Sequence, residues 1–186
     1  MKVAVLFGSH RSNGTNEVIE KAILGLNTPH EFDFIRMADN RIESCTSCYC
    51  CVKAGKCVLP NSDSDKFEDV FHRLIIADAI LIITPVYSLI PSRLTALFER
   101  LTSVLFSTDL LGKPENPLWG KKAAIVSYCS NKICDETQIK LIFQKFLMSD
   151  FSYTEVNYNY INNCPNPNEK YSDVSEYVKD IVSSLS

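Results

Sequence analysis

The chain has 186 residues, of which 46% are hydrophobic, and 19 basic against 22 acidic residues give a formal net charge of −3. This hydrophobic share excludes a disordered chain, and the length fits one domain over residues 1–186. The slightly acidic balance excludes the basic surface that nucleic-acid binding requires. No apolar run reaches the ~20 residues that cross a bilayer, and the opening Met1-Lys2-Val3 lacks a signal-peptide pattern. We therefore expect a cytoplasmic protein without nucleic-acid or membrane partners.

Apolar runs and helical stripes alternate along the chain. The predicted strands, in order, are Val3–Phe7, Phe32–Ile35, Ala79–Ile83, Ala123–Val126 and Phe151–Val156. Apolar residues recur at helical spacing in five further segments, which begin at Ile19, Phe67, Leu94, Ile139 and Val174. This alternation predicts a parallel sheet with helices on both faces, a doubly wound α/β sandwich. In such folds ligands bind at the carboxyl ends of the strands.

The segment after the first strand has the composition of a phosphate-binding loop. It offers hydroxyl and amide donors, an arginine fork and a glycine that lets backbone N–H groups converge, directly before a helix N-terminus. The candidate residues are Ser9, Arg11, Asn13, Gly14, Thr15 and Asn16. Neither a P-loop nor a dinucleotide fingerprint is present, so a terminal phosphate monoester, as in FMN, is the expected ligand. The alternative is a polar turn and helix cap without a ligand.

Four cysteines lie within thirteen residues in the pattern C-x2-C-x2-C-x5-C, namely Cys45, Cys48, Cys51 and Cys57. They fall in a predicted insertion at about 38–63, longer than the ~2–6 residues usual for such connections. Four thiolates are the ligand set of a [4Fe–4S] cluster, and Gly55 would let the chain fold back toward Cys57. Three alternatives stay open: structural zinc, a redox disulfide among Cys48, Cys50 and Cys51, or free thiols without metal.

The loop after the third strand, Thr84–Ser92, is stiffened by two prolines. Backbone amides of such a loop can meet the polar edge of a flavin ring, and Tyr87 can lie against the ring face. The candidate residues are Pro85, Val86, Tyr87 and Ser88. The alternative is a plain strand-to-helix connection in which Ser92 caps the following helix.

Two motifs together resemble the NADPH-dependent FMN reductase superfamily: Gly8-Ser9-His10-Arg11 followed by Thr15-Asn16, and Thr84-Pro85-Val86-Tyr87. The cysteine run narrows the resemblance to the iron–sulfur flavoproteins. The resemblance implies a flavodoxin-like three-layer α/β/α sandwich with a five-stranded parallel sheet in the order 2-1-3-4-5. It also implies bound FMN, a [4Fe–4S] cluster on the four cysteines, and assembly as a homodimer or homotetramer.

The function that this resemblance implies is an NAD(P)H-dependent flavin oxidoreductase of the FMN or quinone reductase type. Electrons would pass from NAD(P)H or a protein donor to a small-molecule or protein acceptor. No catalytic acid or base is predicted, because the cofactor carries the chemistry. The alternative is a non-catalytic flavodoxin-like binding or regulatory module. The sequence leaves open the acceptor and the choice between NADH and NADPH.

Overall fold

The computed structural model describes residues 1–59, 64–87, 89–110, 116–129, 136–150, 155–162 and 172–185. Its sheet is built from β1 (Lys2–Phe7), β2 (Glu31–Arg36), β3 (Ala79–Pro85), β4 (Lys122–Cys129) and β5 (Glu155–Asn162). The strands pair in parallel in the order β2-β1-β3-β4-β5. Because the order reverses direction after β1, the carboxyl ends of β1 and β3 border the crevice where such sheets bind ligands.

Helices cover both faces of this sheet. They are α1 (Thr15–Leu24), α2 (Cys50–Ala54), α3 (Phe67–Ile76), α4 (Ser92–Leu110), α5 (Glu136–Gln144) with a π-helical continuation (Lys145–Asp150), and α6 (Ser172–Ser184). Helices α1 and α6 pack together on one face, while α3, α4 and α5 contribute to the core of the other. Within the described ranges, no helix combines the length and apolarity needed to cross a membrane.

The two apolar cores share the same strands. Val5 and Phe7 of β1 lie in the core that contains Ile19 of α1, whereas Ala4 and Leu6 lie in the opposite core. This division follows from strand geometry, because successive side chains point to opposite faces. All seven residues of β3 are buried, as expected for a central strand covered on both sides.

The predicted parallel sheet with helices on both faces is confirmed. The predicted last strand, Phe151–Val156, coincides with β5 (Glu155–Asn162) at Glu155 and Val156, and its residues 151–154 lie outside the described part of the chain. Residues 155–162 pair with the whole of β4, which itself runs three residues past the predicted end at Val126. The bounds of β5 therefore follow from its pairing with β4, and the local sequence pattern does not reveal that pairing.

Candidate cofactor-binding site

The predicted phosphate loop begins directly after β1, and its first residue lies in close contact with β3. The N–H of Gly8 donates a hydrogen bond to the carbonyl of Ile83 over 2.8 Å. A Cβ at Gly8 would lie 2.6 Å from Thr84 Oγ1 and 2.8 Å from Leu94 Cδ2. Only glycine therefore lets the chain cross β3 at this distance, and the loop is held at the crevice between β1 and β3.

Hydrogen bonds inside the loop fix its shape. The buried Ser9 accepts a hydrogen bond at Oγ from the N–H of Arg11 over 3.0 Å. Asn16 Nδ2 donates to the carbonyl of Arg11 over 2.8 Å, and Asn16 Oδ1 accepts from the Tyr128 hydroxyl over 2.9 Å. Asn16 is thus tied at both ends of its amide, and its main effect is to hold the loop. Tyr128 at the end of β4 was not among the predicted site residues.

The outward side of the loop carries the groups suited to an anion. Arg11 and Asn13 are exposed, and Gly14 and Thr15 are partly exposed. Gly14 directly precedes α1 with φ 73°, a left-handed conformation that favours glycine. Nothing lies within 4 Å of a Cβ built there, so the backbone conformation rather than lack of space calls for glycine. The loop thus carries an exposed arginine three residues before Gly14, which directly precedes α1, and a cation close to a helix N-terminus suits a phosphate group.

Replacing Tyr128 with phenylalanine should lower the free energy of unfolding by about 1–2 kcal/mol, because it leaves the buried Asn16 oxygen without its donor. Urea denaturation monitored by circular dichroism measures this loss. Tyr49→Phe is the control, since that hydroxyl sits on a side chain that is 75% exposed. Equal midpoints for both variants would show that the Tyr128–Asn16 bond does not stabilise the loop.

The loop after β3 presents the exposed side chain of Tyr87. Pro85 ends β3 and Val86 is buried, with its N–H donating to the carbonyl of Tyr128 over 2.8 Å. The N–H of Tyr87 donates to the carbonyl of Leu89 over 3.2 Å, whereas its side chain is 63% exposed. The amide donors of Val86 and Tyr87 are thus engaged within the protein, and the exposed side chain of Tyr87 is the part of this loop that we would place against a flavin ring. Ser88 lies outside the described residues.

The four motif cysteines line one cavity of about 220 Å³. Its lining includes Cys45, Cys48, Cys51 and Cys57, whereas the adjacent Cys50 is not part of it. All five of these cysteines are free thiols, so the structure contains no redox disulfide among Cys48, Cys50 and Cys51. The spacing in the sequence therefore brings the four predicted ligands together and separates the fifth thiol from them.

Three left-handed residues turn the chain so that the sulfurs converge. Ser47 and Tyr49 have φ 52° and 58°, and Tyr49 immediately precedes the short helix α2. Gly55 ends that helix with φ 67°, and its N–H donates to the carbonyl of Cys51 over 2.7 Å. The predicted role of Gly55 in folding the loop back toward Cys57 is confirmed.

The thiols differ in their electrostatic surroundings. Hydrogen bonding, chiefly from the backbone of Cys50, lowers the pKa of the exposed Cys48 thiol. Burial raises the pKa of the Cys51 thiol, and the neighbouring sulfurs of Cys45 and Cys57 add to that effect through their charge. Cys51 thus lies within electrostatic range of both sulfurs. A positively charged metal centre among the three would favour the thiolate form of Cys51.

Helix α4 forms the opposite wall of the cavity through Arg100, Ser103 and Val104. Arg100 is 1% exposed, and its Nη2 donates to Cys57 Sγ over 3.2 Å. Ser103 Oγ lies 3.6 Å from Cys45 Sγ. Sequence reasoning missed both residues. One signal was available: Arg100 stands three residues after Leu97 and four before Val104, on the apolar stripe of α4, where a charged residue needs a partner.

The four thiols are the donor set that an iron–sulfur cluster would use. Across the described residues, no group of three or more His, Cys, Asp or Glu side chains is placed to hold one metal ion. A [4Fe–4S] cluster binds each thiolate through a different iron, which requires four sulfurs around a common cavity. That is the arrangement of the four motif cysteines.

Helix α4 also connects the cavity to the phosphate loop. His10 Nε2 accepts from the N–H of Arg93 over 3.3 Å and lies 3.4 Å from Ser92 Oγ. Burial and the charge of Arg93 lower the pKa of His10, which suits an acceptor. Arg93 Nη1 donates to the carbonyls of Met37 and Ala38, at the start of the cysteine insertion. From Arg93 to Arg100 the helix rises roughly 10 Å, so the two candidate sites are neighbours.

The fold and the site define a flavodoxin-like α/β protein with a candidate phosphate loop at the crevice between β1 and β3. Residues 1–148 match the profile of the family described as NADPH-dependent FMN reductase, and the chain belongs to this family. Two proteins of Methanocaldococcus jannaschii are similar to it. Iron-sulfur flavoprotein MJ0731 is 32% identical over 56% of this chain and 52% of its own, and MJ1083 is 29% identical over 47% and 44%. The alignments thus span about half the length of these curated relatives.

A solved structure extends the similarity of fold over the whole chain. The NAD(P)H:quinone oxidoreductase from Methanothermobacter marburgensis superposes with a TM-score of 0.67, at 15% identity, over 100% of this chain and 99% of its own. At this identity the comparison shows the fold alone. The predicted flavodoxin-like fold and the predicted family are both confirmed.

Proposed function

We propose that this protein is an FMN-dependent oxidoreductase that takes electrons from NAD(P)H or a protein donor and passes them to an acceptor through a [4Fe–4S] cluster on Cys45, Cys48, Cys51 and Cys57. The observation that carries the proposal is the position of α4. Its first turn contacts the phosphate loop through His10, and its middle lines the four-cysteine cavity. One rigid element thus holds both candidate sites about two helical turns apart.

In flavin binding, the protein's residues would neutralise the phosphate charge and orient the flavin ring. FMN supplies hydride and one-electron chemistry when bound, and an iron–sulfur cluster supplies one-electron transfer. Arg11 and the N-terminus of α1 would hold the phosphate monoester, while Gly14 and Thr15 shape the cradle around it. Tyr87 would cover one face of the flavin ring, as its exposed side chain allows.

Four thiolates would hold the cluster in a cavity where Cys45, Cys51 and Cys57 are partly buried and Cys48 is exposed. Its lining includes the apolar Val52, Leu59 and Val104 next to the sulfurs. A partly dry environment strengthens the hydrogen bonds that reach the sulfurs. Assembly as a homodimer or homotetramer belongs to the same proposal, and size-exclusion chromatography with light scattering tests it.

Arg11→Ala should weaken FMN binding about tenfold, because it removes a charge-assisted hydrogen bond to the phosphate. Fluorescence titration of apoprotein with FMN measures the dissociation constant. Lys21→Ala is the matched control: it also removes a positive charge from the α1 region, but Lys21 pairs with Glu17 on the helix surface. An unchanged affinity in Arg11→Ala would overturn the assignment of the phosphate loop.

An anaerobic absorption spectrum of the purified protein tests the proposal as a whole. A flavin spectrum that bleaches on addition of NAD(P)H, together with about four irons per chain, is the expected result. A flavin spectrum without iron would reduce the proposal to a cluster-free flavin or quinone reductase. A colourless protein that takes up no FMN would replace the enzyme by a non-catalytic binding module.

A further inference from the structure

The side chain of Arg100 is held from several sides at the wall of the cysteine cavity. Nη1 donates to Asp65 Oδ2 over 2.5 Å and to the carbonyl of Glu43 over 3.4 Å. The guanidinium carbon lies 4.1 Å from the centre of the Phe67 ring, and Nη2 donates to Cys57 Sγ. Arg100 and Asp65 form an almost fully buried ion pair. The guanidinium is therefore preorganised, with one arm on a carboxylate and the other on a predicted ligand sulfur.

The stability of the cysteine loop alone does not account for the buried Arg100–Asp65 ion pair. A buried ion pair often stabilises no better than apolar residues of the same volume, because desolvation opposes the attraction. Moreover, Arg100 Nε is buried and has no hydrogen-bond partner among the described residues. A buried arginine with an unused donor, on the wall of the four-cysteine cavity, would be stabilised by additional negative charge in that cavity.

Ser103 repeats the arrangement one turn further along α4. Residues 100 and 103 lie on the same side of the helix, and both reach a predicted ligand sulfur. In the structure the single proton of the Ser103 hydroxyl is donated to the carbonyl of Glu99 over 2.9 Å. A Cys45 thiolate has no proton to donate, so a hydrogen bond between the two requires the Ser103 hydroxyl to rotate from Glu99 to the sulfur.

We propose that Arg100 is a positioning residue for the cluster: its hydrogen bond to the Cys57 thiolate raises the reduction potential, and Ser103 acts on Cys45 in the same sense with a smaller effect. This inference rests on the proposed function, because it requires the cluster. Reduction adds one electron and hence one negative charge to the cluster and its thiolates. A hydrogen bond to a ligand sulfur stabilises the reduced form more than the oxidised form, so removing it lowers the potential.

The main test is the midpoint potential of the cluster in the double variant Arg100→Met with Asp65→Asn. This pair removes both buried charges together, so the net charge of the site stays the same and no unpaired carboxylate is left. We expect the ratio of reduced to oxidised cluster at the wild-type midpoint to fall about tenfold, a shift of ~59 mV for a one-electron couple. Redox titration followed by electron paramagnetic resonance measures it, and the flavin midpoint in the same protein should not move.

Arg100→Lys and Ser103→Ala keep the test decisive if the double variant does not fold. Lysine keeps the charge opposite Asp65 but has no second nitrogen for Cys57, so its cluster potential should also fall. Ser103→Ala should lower the potential by less. Thr102→Ala is the control, since it removes the adjacent hydroxyl of α4, which makes no hydrogen bond to a described residue.

The outcomes separate this inference from the proposed function. Variants that load about four irons, with cluster potentials and iron–sulfur stretching frequencies equal to those of the wild type, would overturn the role of Arg100 and leave the proposed function standing. Lower iron occupancy with an unchanged potential would make Arg100 a structural tie only, which also overturns the inference. A wild-type chain that takes up no iron under anaerobic reconstitution would overturn both.

Discussion

Cys51→Ala is expected to abolish cluster assembly while FMN binding persists. Cys51 lines the cysteine cavity and interacts electrostatically with the sulfurs of Cys45 and Cys57. Its loss would remove one of the four predicted ligands and leave one iron of the cluster without a thiolate. Iron and acid-labile sulfide per chain should fall from about four of each to near background. Inductively coupled plasma analysis after anaerobic reconstitution measures the iron, and FMN titration measures the other site.

Cys50→Ala provides the matched control for this experiment. Cys50 is the adjacent residue of α2, an equally small thiol, but it is exposed and does not line the cavity. It should keep the full iron content. If Cys50→Ala lost as much iron as Cys51→Ala, the assignment of Cys51 over Cys50 as the ligand would be incorrect.

Gly8→Ala is expected to destabilise the fold and weaken FMN binding together. The added methyl group would lie 2.6 Å from Thr84 Oγ1 and 2.8 Å from Leu94 Cδ2, within the packed junction of β1, β3 and α4. Overpacking of this kind costs about 1–3 kcal/mol, and relief would push the phosphate loop away from β3. Urea denaturation gives the loss of stability, and fluorescence titration gives the loss of FMN affinity.

Gly25→Ala is the corresponding control at the end of α1. Gly25 has φ −80°, a conformation open to every residue, and a Cβ there would approach its nearest neighbour, the carbonyl of Lys21, at 3.4 Å. Its stability should change little or rise slightly, because alanine narrows the unfolded ensemble. A Gly8→Ala protein as stable as Gly25→Ala would contradict the close crossing of β1 and β3.

The fold was largely predictable because its central strands carry their signal locally. Val3–Phe7 of β1 and Ala79–Ile83 of β3 are continuous apolar runs, the composition expected of a parallel strand buried on both faces. The end of the last strand was predicted too early, at Val156, although apolar and polar residues continue to alternate as far as Tyr160. Pairing with β4 extends the strand to Asn162, and pairing depends on the sheet rather than on the segment alone.

The candidate site divides in the same way between local and distant features. The phosphate loop and the cysteine run are contiguous, so their spacing could be recognised in the sequence. Arg100 contacts Cys57 across 43 residues, Ser103 contacts Cys45 across 58, and Tyr128 contacts Asn16 across 112. These residues have no motif of their own, because the sheet and the register of α4, rather than their neighbours in the chain, bring them to the site.

The cysteine insertion leaves β2, which lies at one end of the strand order. An insertion that follows an edge strand can become longer or shorter without separating the central strands of the sheet. Lengthening it costs little, since each doubling of a flexible loop adds only about 0.6 kcal/mol of closure entropy. The length and cysteine content of this insertion can therefore change while the crevice between β1 and β3 stays in place.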